Sequence, residues 1–487
     1  MKTIPDRGME RTEVLSRLRR FGGEDANYRE SRTWSLVYYL SKEHTDFLKE
    51  AYGLYFSENA LNPMAFKSLK RMETEIVQMT GKLLNGDDQT VGVMTSGGTE
   101  SCLLPVVTYR DRARTLGKGG SKPEMIAPRS IHVAWEKAAS YFGVKMVHAP
   151  LDDHQRVDVK AVEELINRRT ILLVGSAPCY PFGTVDPIQA LGETAQRHEL
   201  PLHVDACLGG FLLPFVERLG DDVPVFDFRV PGVTSMGADV HKYGFGAKGA
   251  SVLLYRNMEY LKHQFFVYAD SPTGVFASPG MLGTRPGGAI AAAWAALHAI
   301  GMEGYLKIAE SVMDTTRRLR EGVESIPGLK VIGRPAMSVF AYGSEEKELD
   351  IYAVGDQMEE KGWSVDRIQH PSGLHCMVTP RHADVVEEYL GDLKEAVDTV
   401  REHPELSRSG SAVMYGMVAH APLRGMVKKQ IRDMMAEMYG PECRMPTLGL
   451  EEQRGSKVQT KLSPWLLKLF KWWNRFSERR RGSVENP

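Results

Sequence analysis

The sequence predicts an α/β protein organised around a large, mostly parallel β-sheet. Two continuous apolar runs, Thr170–Pro178 and Leu200–Ala206, have the composition of strands that are buried on both faces. Segments of helical character separate such runs at roughly the thirty-residue spacing of β-α units. Small, polar or ionisable groups directly follow several predicted strands, at Thr95–Thr99, Pro178–Tyr180, Asp205 and Lys242. Because ligands bind beyond the carboxyl ends of parallel strands, we expect these groups to share one rim of the sheet.

Composition is that of an ordinary globular protein and excludes several functional classes. Of the 487 residues, 43% are hydrophobic and 25% are charged, and the formal net charge is -1. This balance gives no electrostatic case for nucleic-acid binding. The 5 cysteines show no CxxC spacing, which argues against a disulfide framework and a structural zinc site, so no metal is expected. The amino terminus has no apolar leader, and we therefore expect a cytoplasmic protein.

Changes of pattern along the chain divide it into four predicted segments. An amino-terminal arm, residues 1–62, carries one aromatic patch and is expected to dock on the main body. The large domain, 63–325, opens with an amphipathic helix predicted from Pro63 through Leu84. Shorter strand and helix patterns predict a small α+β domain over 326–445, and a basic amphipathic tail covers 446–487.

Lys242 lies in a Gly-rich turn, His241-Lys-Tyr-Gly244, ahead of a predicted strand. A lysine among apolar and small residues is costly to desolvate as an ammonium, which suits an amine that must lose its proton to form a Schiff base. The alternative is a solvated loop lysine, the usual environment of this residue. Asp205 also has two interpretations. It is either a helix cap or a carboxylate that keeps the ring nitrogen of a pyridine cofactor protonated.

Two other positions are weaker signals when taken alone. The turn at Gly97-Gly98, followed by Thr99, offers helix-opening amides and a hydroxyl that suit a phosphate, although most Gly-Gly turns are only turns. His132 falls where a predicted strand gives way to a helix. It is interpreted either as a core histidine or as an aromatic plate stacked on a flat cofactor. The Gly97-Gly98 turn gains weight from its shared placement with Lys242 at the rim, whereas His132 taken alone favours the core interpretation.

Four motifs in combination carry a resemblance to a known family. They are Thr95-Ser-Gly-Gly-Thr-Glu-Ser101, His203-Val-Asp-Ala-Cys-Leu-Gly-Gly-Phe211, Phe226-Asp-Phe-Arg-Val-Pro-Gly-Val-Thr-Ser235 and His241-Lys-Tyr-Gly244. Together they resemble the sphingosine-1-phosphate lyase family, which belongs to the pyridoxal-phosphate-dependent fold type I group and is related to the group II amino-acid decarboxylases. The resemblance implies a transferase-type fold with a seven-stranded sheet, a pyridoxal 5'-phosphate cofactor, and carbon–carbon (aldehyde) lyase activity on phosphorylated long-chain sphingoid bases.

The resemblance also implies which residues hold the cofactor. Lys242 would form the Schiff base and Asp205 would pair with the pyridine nitrogen. The cofactor ring would stack on His132. Its phosphate would be held by Gly98, Thr99 and His241. In the family, the loop that matches Gly283 and Thr284 completes the cofactor site of the neighbouring subunit. A homodimer with active sites shared between subunits is therefore implied.

The substrate side is implied by another set of matching positions. Tyr38 and Lys248 match positions that hold the substrate phosphate, and Tyr180 matches a tyrosine near the reacting carbons in bacterial members. Asn62 stands where the family usually has a phosphate-binding histidine. Asparagine can donate a hydrogen bond to a phosphate but adds no positive charge. A second departure, Met236-Gly-Ala-Asp-Val240, is interpreted as a packing change of little consequence.

The implied reaction is a retro-aldol cleavage. A base removes the proton from the C3 hydroxyl, the C2–C3 bond breaks, and reprotonation at C2 gives ethanolamine phosphate beside a long-chain aldehyde. Lys242 and Tyr180 are the candidate proton-transfer groups, and their order stays open. Two alternatives also stay open: a pyridoxal-phosphate-dependent amino-acid decarboxylase, and a cofactor-free, membrane-bound scaffold. The retained Lys242, Asp205 and His132 argue against the scaffold.

The carboxyl-terminal tail is the part least like the family. Residues 451–487 contain nine Lys or Arg against four Asp or Glu. Residues 465–481 place Trp, Leu and Phe on one helical face and basic residues on the other, a pattern typical of helices that lie in a membrane interface. Peripheral membrane contact through 465–481 is one interpretation, and packing on the dimer is the other.

Overall fold

The computed structural model describes residues 3–408 and 424–442, which belong to two compact units. Both large features of the fold, a seven-stranded and a four-stranded sheet, lie in the unit Arg7–Ser407. The described part of the other unit contains the helix Arg424–Met438. The predicted tail 446–487 lies outside the described residues, and the four predicted domain boundaries stay predictions.

The larger sheet has the architecture that the sequence predicts. Its strand order is β1-β7-β6-β5-β4-β2-β3. Strand β7 runs antiparallel to both of its neighbours, and every other pair is parallel. The strands are β1 (Val91–Thr95), β2 (Glu124–Pro128), β3 (Lys145–Ala149), β4 (Thr170–Ser176), β5 (Leu202–Asp205), β6 (Val233–Ala238) and β7 (Ser251–Tyr255).

Apolar side chains cover both faces of this sheet. In β4 every residue is buried, and successive side chains alternate between two apolar clusters. Leu172 and Val174 belong to one cluster, whereas Leu173 belongs to the other. Because strand side chains alternate with a period of two, this division means that each face has its own core. The continuous apolar runs of the sequence follow from this double burial.

The remaining strands form a surface hairpin and a smaller sheet. Strands β8 (Phe266–Tyr268) and β9 (Phe276–Ser278) pair as an antiparallel hairpin. The smaller sheet is antiparallel with the order β10-β11-β13-β12. Its strands are β10 (Leu329–Val331), β11 (Val339–Ser344), β12 (Asp366–Ile368) and β13 (Gly373–Met377).

Thirteen α-helices lie in the described residues, and among them none has both the length and the apolar character needed to span a bilayer. They are α1 (Arg11–Phe21), α2 (Lys42–Leu54), α3 (Lys67–Leu83), α4 (Gly98–Thr115), α5 (Ala134–Phe142), α6 (Val159–Leu165), α7 (Ile188–Arg197), α8 (Leu213–Arg218), α9 (Met258–Leu261), α10 (Gly287–Ser325), α11 (Ile351–Glu360), α12 (Val386–Glu402) and α13 (Arg424–Met438). Helix α10 is kinked at Gly301, whose φ of 61° lies in the left-handed region that favours glycine.

Helix α3 begins at Lys67, so the predicted start at Pro63 is wrong by one turn. The side-chain oxygen of Asn62 accepts hydrogen bonds from the backbone N–H groups of Met64 and Ala65, at 3.0 and 3.2 Å. Such a local side-chain cap offers the backbone an alternative to the helix. Phe66 then has φ -114° and ψ 69°, outside the helical region, and the helix starts after it.

The amino-terminal arm is anchored at Trp34, which is fully buried. Its ring stacks on His382, with ring centroids 4.3 Å apart, and also contacts Trp363 and Tyr389. The Trp34 carbonyl accepts a hydrogen bond of 3.0 Å from the backbone N–H of Met377, at the end of β13. These contacts fix the following residues, including Tyr38, relative to the smaller sheet.

Candidate active site

The carboxyl ends of several strands of the larger sheet bring most of the predicted site residues together. Strand β1 ends at Thr95 and leads through the Gly97-Gly98 turn into α4, while β5 ends at Asp205. Strand β6 ends at Ala238, and Lys242 follows within the next turn. The rim predicted from the sequence is thus present in the fold.

Lys242 is held by a carboxylate that the sequence interpretation did not single out. Its Nζ lies 2.9 Å from Oδ2 of Asp239, whose side chain has 0% exposure. Burial by itself lowers the pKa of Lys242, but the carboxylates of Asp239 and Asp205 outweigh burial and raise this pKa. In the cofactor-free chain the lysine is therefore an ammonium.

Asp205 is a buried carboxylate with two fixed donors. The indole N–H of Trp135 donates to Oδ2 at 2.9 Å, and the backbone N–H of Cys207 donates to Oδ1 at 3.2 Å. Burial raises the pKa of Asp205, yet the Trp135 hydrogen bond and the nearby His132, His203 and Lys242 bring it below the usual value. Asp205 is therefore an oriented anion, as a partner for a protonated ring nitrogen must be.

The two buried thiols of Cys102 and Cys207 flank the carboxylate of Asp205. The Sγ of Cys102 lies 3.6 Å from Oδ2, and the three candidate ligand atoms lie within 4.8 Å of one another. Burial contributes to the raised pKa of both thiols, and in Cys207 the contact with Cys102 is the larger cause. Both thiols therefore keep their protons at neutral pH.

His132 lies between the end of β2 and the start of α5, where its ring faces Tyr180. The ring centroids are 6.1 Å apart at an interplanar angle of 85°. The backbone N–H of Ala134 donates to Nδ1 at 3.2 Å, so the ring proton of the neutral imidazole is on Nε2. Burial lowers the pKa of His132, and a neutral ring suits stacking on a flat cofactor.

Tyr180 joins the large-sheet rim to the smaller sheet. Its hydroxyl donates to Oδ2 of Asp366 at 2.9 Å, and its ring lies 4.4 Å from the ring of His375, centroid to centroid. Asp366 and His375 are paired across β12 and β13. Burial and the Asp366 carboxylate raise the pKa of Tyr180, so the phenol keeps its proton at neutral pH. Burial lowers the pKa of His375 to about 4, which keeps that imidazole neutral.

Lys248 and Tyr38 form a second cluster near Lys242. The Lys248 Nζ lies 5.2 Å from the centre of the Tyr38 ring and donates a 2.8 Å hydrogen bond to the Leu36 carbonyl. Leu36 has a φ of 67°, an uncommon value for a bulky residue. Although Lys248 as a residue is exposed, the partial burial of its amine, with a smaller contribution from Lys242, lowers its pKa to about 8.

The amino terminus of α4 forms a glycine-lined cradle. A Cβ on Gly98 would lie 2.6 Å from Oδ2 of Asp239, and one on Gly97 would lie 3.4 Å from Cε1 of His241. His241 is fixed by a 2.7 Å hydrogen bond between its Nδ1 and the Ala250 carbonyl. Thr99 follows in the first turn of the helix. Helix amino termini favour anions, and the two glycines place no side chain of their own over the first turn of α4. The Ser96 amide, just before this turn, donates to the Glu100 carboxylate at 2.7 Å.

Three predicted site residues lie outside this group in the single chain. Asn62 is exposed, and its side-chain oxygen is engaged in the cap before α3. Gly283 and Thr284 lie on an exposed loop, where the Thr284 hydroxyl accepts a 3.2 Å hydrogen bond from the Asn59 amide. The same loop reaches α4 through the backbone N–H of Met281, which donates to Glu100 at 2.9 Å.

Comparison with known proteins assigns this site to a class. Residues 46–342 match the family model described as the pyridoxal-dependent decarboxylase conserved domain. The chain is therefore a pyridoxal-phosphate-dependent enzyme. An amine, an oriented carboxylate, a neutral imidazole and a helix amino terminus fit the aldehyde, ring nitrogen, ring and phosphate of that cofactor. The alternative of a cofactor-free scaffold is wrong.

Closer relatives define the family within this class. The chain is 43% identical to the sphingosine-1-phosphate lyase of Oryza sativa subsp. japonica over 439 residues, covering 88% of this chain and 80% of that protein. It is 41% identical to sphingosine-1-phosphate lyase 1 of Rattus norvegicus over 445 residues, covering 91% and 78%. The solved sphingosine-1-phosphate lyase of Burkholderia pseudomallei K96243 superimposes with a TM-score of 0.82 at 40% identity, over 91% of this chain and 98% of that one. The chain belongs to the sphingosine-1-phosphate lyase family.

The relation to amino-acid decarboxylases is more distant. The glutamate decarboxylase of Lactobacillus brevis superimposes with a TM-score of 0.72 at 22% identity, over 82% of this chain and 94% of that one. At this identity the likeness concerns the fold alone. The family assignment therefore favours a lyase over a decarboxylase.

Proposed function

We propose that this enzyme cleaves phosphorylated long-chain sphingoid bases, of the sphingosine-1-phosphate type, to a long-chain aldehyde and ethanolamine phosphate. The observation that carries the proposal is the coupling of two amines in one site. Lys242 is half-buried and forms an ion pair with the fully buried Asp239, it interacts electrostatically with Asp205, and Lys248 lies close enough to act on Lys242 in turn. An amine held by inward-facing carboxylates suits covalent cofactor binding, and the more exposed amine of Lys248 suits a phosphate that enters from solvent.

The residues that would hold the cofactor follow from this arrangement. Bound pyridoxal phosphate supplies an electron sink for carbon–carbon cleavage. Lys242 would hold it covalently and Asp205 would face its ring nitrogen. The remaining groups would contact its ring and its phosphate, namely His132 for the ring, and Gly98, Thr99 and His241 for the phosphate. The glycine cradle at the amino terminus of α4 supports the phosphate assignment.

The substrate phosphate would bind at the second cluster. The Lys248 ammonium supplies the charge and the Tyr38 hydroxyl supplies a hydrogen bond, while Trp34 keeps the arm in place. Asn62 would add a neutral donor through its amide nitrogen, because its oxygen is already bonded to the backbone. Phosphate recognition would thus depend mainly on Lys248.

Proton transfer would involve Tyr180 and Lys242. The proton of the C3 hydroxyl must be removed for the C2–C3 bond to break, and C2 must then receive a proton. Tyr180 is protonated and oriented by Asp366, so it suits the role of proton donor. The Lys242 amine, in its neutral form, would suit the role of proton acceptor.

The test is to incubate the purified, cofactor-loaded enzyme with a phosphorylated long-chain base and to measure both products. We expect equal amounts of long-chain aldehyde and ethanolamine phosphate. The unphosphorylated base is the matched control and should react far more slowly, because it cannot engage Lys248. Carbon dioxide release from amino acids, without aldehyde from the base, would instead establish the decarboxylase alternative.

We further propose that the enzyme is a homodimer whose subunits share their active sites. Large apolar side chains are exposed along the β8–β9 hairpin and the loop that follows it, just before Gly283 and Thr284. They are Phe265, Phe266, Val267, Tyr268, Val275, Phe276, Met281 and Leu282. Contiguous exposed apolar surface of this kind marks an interaction site. A second copy of the chain would cover it and receive the Gly283-Thr284 loop at its own cofactor phosphate.

Complementation tests the shared site. Lys242→Ala and Thr284→Arg are each expected to be inactive as pure dimers. If the loop serves the partner's site, a mixed dimer has one site with both defects and one site with neither. Co-expression should then restore activity, to at most half of the wild-type value per mixed dimer. No recovery from a verified mixed dimer, or a monomeric mass in solution, would contradict the proposal.

Peripheral membrane contact through 465–481 is proposed from the sequence alone, since these residues lie outside the described ranges. The basic and apolar faces of that segment support it. The experiment is co-sedimentation of the full chain with vesicles that contain anionic lipid. A truncation after residue 445 should lose binding, and equal binding by both chains would contradict the assignment.

A further inference from the structure

Two thiols and a carboxylate converge at the rim of the larger sheet. Cys102 lies in α4, and Cys207 follows β5 two residues after Asp205. Helix α4 contacts β4 and β6, the strands on either side of β5, and this packing brings Cys102 to the end of β5. The spacing of the cysteines in the sequence does not reveal this cluster, because its members come from separate β-α units.

The candidate ligand atoms lie at distances that suit a single metal ion. The Sγ of Cys102 is 3.6 Å from Oδ2 of Asp205, and the two Sγ atoms and a carboxylate oxygen lie within 4.8 Å of one another. A tetrahedral zinc ion, with bonds of about 2.3 Å to sulfur and about 2.0–2.2 Å to oxygen, places such ligands roughly 3.5–3.7 Å apart. The pair Cys102 and Asp205 therefore matches one edge of that tetrahedron, and Cys207 needs only a small side-chain adjustment to complete it.

The surroundings of these three groups also suit a bound cation. The indole of Trp135 and the backbone N–H of Cys207 fix the Asp205 carboxylate, and outer hydrogen bonds of this kind orient metal-bound carboxylates. Two thiolates, one carboxylate and one divalent cation together carry a single net negative charge. The Lys242 ammonium, which interacts electrostatically with Asp205, would compensate that charge.

We propose that Cys102, Cys207 and Asp205 form a binding site for one thiophilic divalent cation, such as Zn²⁺ or Cd²⁺, in the cofactor-free enzyme. Sulfur ligands select these ions over Mg²⁺ and Ca²⁺, which prefer oxygen ligands. Three protein ligands leave the fourth position of a tetrahedral ion to water. The cation site does not depend on the proposed function, whereas its effect on cofactor binding rests on the proposed role of Asp205.

Binding exchanges two protons for the cation. The S–H bond of each thiol breaks, each sulfur forms a bond to the cation, and two protons pass to solvent. Asp205 contributes an oxygen lone pair, and no oxidation or reduction occurs. A carboxylate that shares an electron pair with a divalent cation is a weaker partner for a protonated ring nitrogen. The bound cation should therefore lower the affinity of the enzyme for pyridoxal phosphate.

The experiment titrates the full-length, cofactor-free protein with Cd²⁺ and follows the thiolate-to-cadmium absorbance, with calorimetry for the stoichiometry. Every protein tested carries Cys443→Ser, so that this thiol, which lies outside the described residues, does not contribute. We expect one Cd²⁺ per chain, displaced by Zn²⁺ but not by Mg²⁺. Cys102→Ser should raise the Kd at least about 100-fold, because loss of even an outer partner of a metal ligand costs about 10–100-fold. Cys376→Ser is the matched control, since that buried thiol lies in β13 beside Tyr389, and its Kd should not change.

Cys207→Ser provides a second test, which also serves if Cys102→Ser does not fold. An unchanged Kd in either folded variant, or no stoichiometric binding by the parent protein, would overturn the proposal.

The effect on the cofactor is measured with the same proteins. Saturating Cd²⁺ should raise the Kd of pyridoxal phosphate for the parent protein by about tenfold or more, the equivalent of weakening one charge-assisted hydrogen bond. In Cys102→Ser the same concentration of Cd²⁺ should leave that Kd unchanged, and equal shifts in both proteins would contradict the assignment. Failure of the metal-free, cofactor-loaded enzyme to release aldehyde from a phosphorylated base would instead count against the proposed function alone, because Cd²⁺ binding needs no substrate.

Discussion

Lys242 and Lys248 stand in the same turn between β6 and β7, yet their surroundings shift their pKa values in opposite directions. Asp239 and Asp205 raise the pKa of the first, despite its burial. Partial burial lowers the pKa of the second to about 8, and the positive charge of Lys242 adds to that decrease. One short segment thus supplies one amine that is held charged and another that titrates near physiological pH. The neighbouring charges, rather than burial alone, determine whether the pKa of each lysine is raised or lowered.

The contrast extends to the parts of the chain that build each side of the site. Around Lys242, the supporting groups come from the ends of large-sheet strands, as with Asp205 and Asp239. Around the substrate, they come from distant segments: Tyr38 from the arm, Tyr180 from the large-sheet rim and Asp366 from the smaller sheet. Strand ends converge by topology, whereas the substrate side depends on docking between segments. We therefore expect changes on the two sides to have separable effects.

The largest effect is expected from Lys242→Ala. Without this amine no covalent link to the cofactor can form, and activity should fall to the detection limit. That loss exceeds the about 10²–10⁴-fold typical of removing one acid–base group. Borohydride reduction followed by peptide mass mapping should find fixed cofactor on Lys242 in wild type and none in the variant. Lys248→Ala is the matched control, in which the cofactor should still be found covalently attached to Lys242. Attachment of the cofactor to Lys248 in wild type would contradict the assignment of separate roles to the two lysines.

Tyr180→Phe should have the next largest effect. Removing the hydroxyl deletes the proposed proton donor, and kcat should fall by about 10²–10⁴-fold while cofactor absorbance is retained. Asp366→Asn should lower kcat less, because the phenol stays in place and loses only its orienting carboxylate. Steady-state kinetics on both variants provide the measurement. A Tyr180→Phe enzyme within about twofold of wild type would remove this residue from the mechanism.

Lys248 should give a pH-dependent effect on substrate binding. Below about pH 8 its amine is charged and attracts the substrate phosphate, and above that pH the attraction is lost, so KM should rise as the pH increases through 8. Loss of a charge-assisted hydrogen bond corresponds to about 1.5–3 kcal/mol, or roughly tenfold to 100-fold in KM. Lys248→Met should show the high KM at every pH. Lys248→Arg stays charged, and a steep rise of its KM above pH 8 would argue for another titrating group.

Trp135→Phe should have the smallest effect of the four. It removes the indole donor while keeping an aromatic ring, so the pKa of Asp205 should rise and the acidic limb of the activity profile should move to higher pH. We expect kcat at neutral pH to fall by no more than about tenfold. Trp294→Phe is a matched control, since Trp294 makes a 2.7 Å hydrogen bond to Glu75, outside the proposed site. An equal shift in both variants would indicate a general structural effect.

Much of the fold and of the cofactor side could be predicted from the sequence. Apolar strand patterns and the groups that follow them placed Lys242, Asp205 and the Gly97-Gly98 turn at one rim. The position of the rim can be predicted without knowing the order of the strands in the sheet. Buried parallel strands are apolar in any order, and ligands bind beyond their carboxyl ends in any order. The assignment of a role to each of these residues stays a prediction.

Side-chain direction and long-range docking could not be predicted in the same way. Asp239 lies only three residues before Lys242, but a linear pattern does not show that its carboxylate turns inward to the start of α4. The sequence alone therefore predicts no more than a packing change in this stretch. Asp366 lies 186 residues after Tyr180 and meets it only because the smaller sheet packs against the rim. Asn62 shows that a short-range contact can be missed as well. Its side chain caps the backbone locally, and α3 therefore begins later than predicted.

The residue after Lys242 connects the chemistry to the smaller sheet. The Tyr243 hydroxyl donates to the Val378 carbonyl at 2.8 Å and accepts a hydrogen bond from Ser338 at 2.5 Å. Ser338 directly precedes β11 and Val378 directly follows β13, so both lie at the same end of these paired strands. Any rotation of the smaller sheet must either lengthen these two hydrogen bonds or move the backbone at Lys242 with it. Tyr243 thus links the smaller sheet to the backbone of Lys242. A movement of that sheet would therefore change the direction in which the Lys242 side chain points.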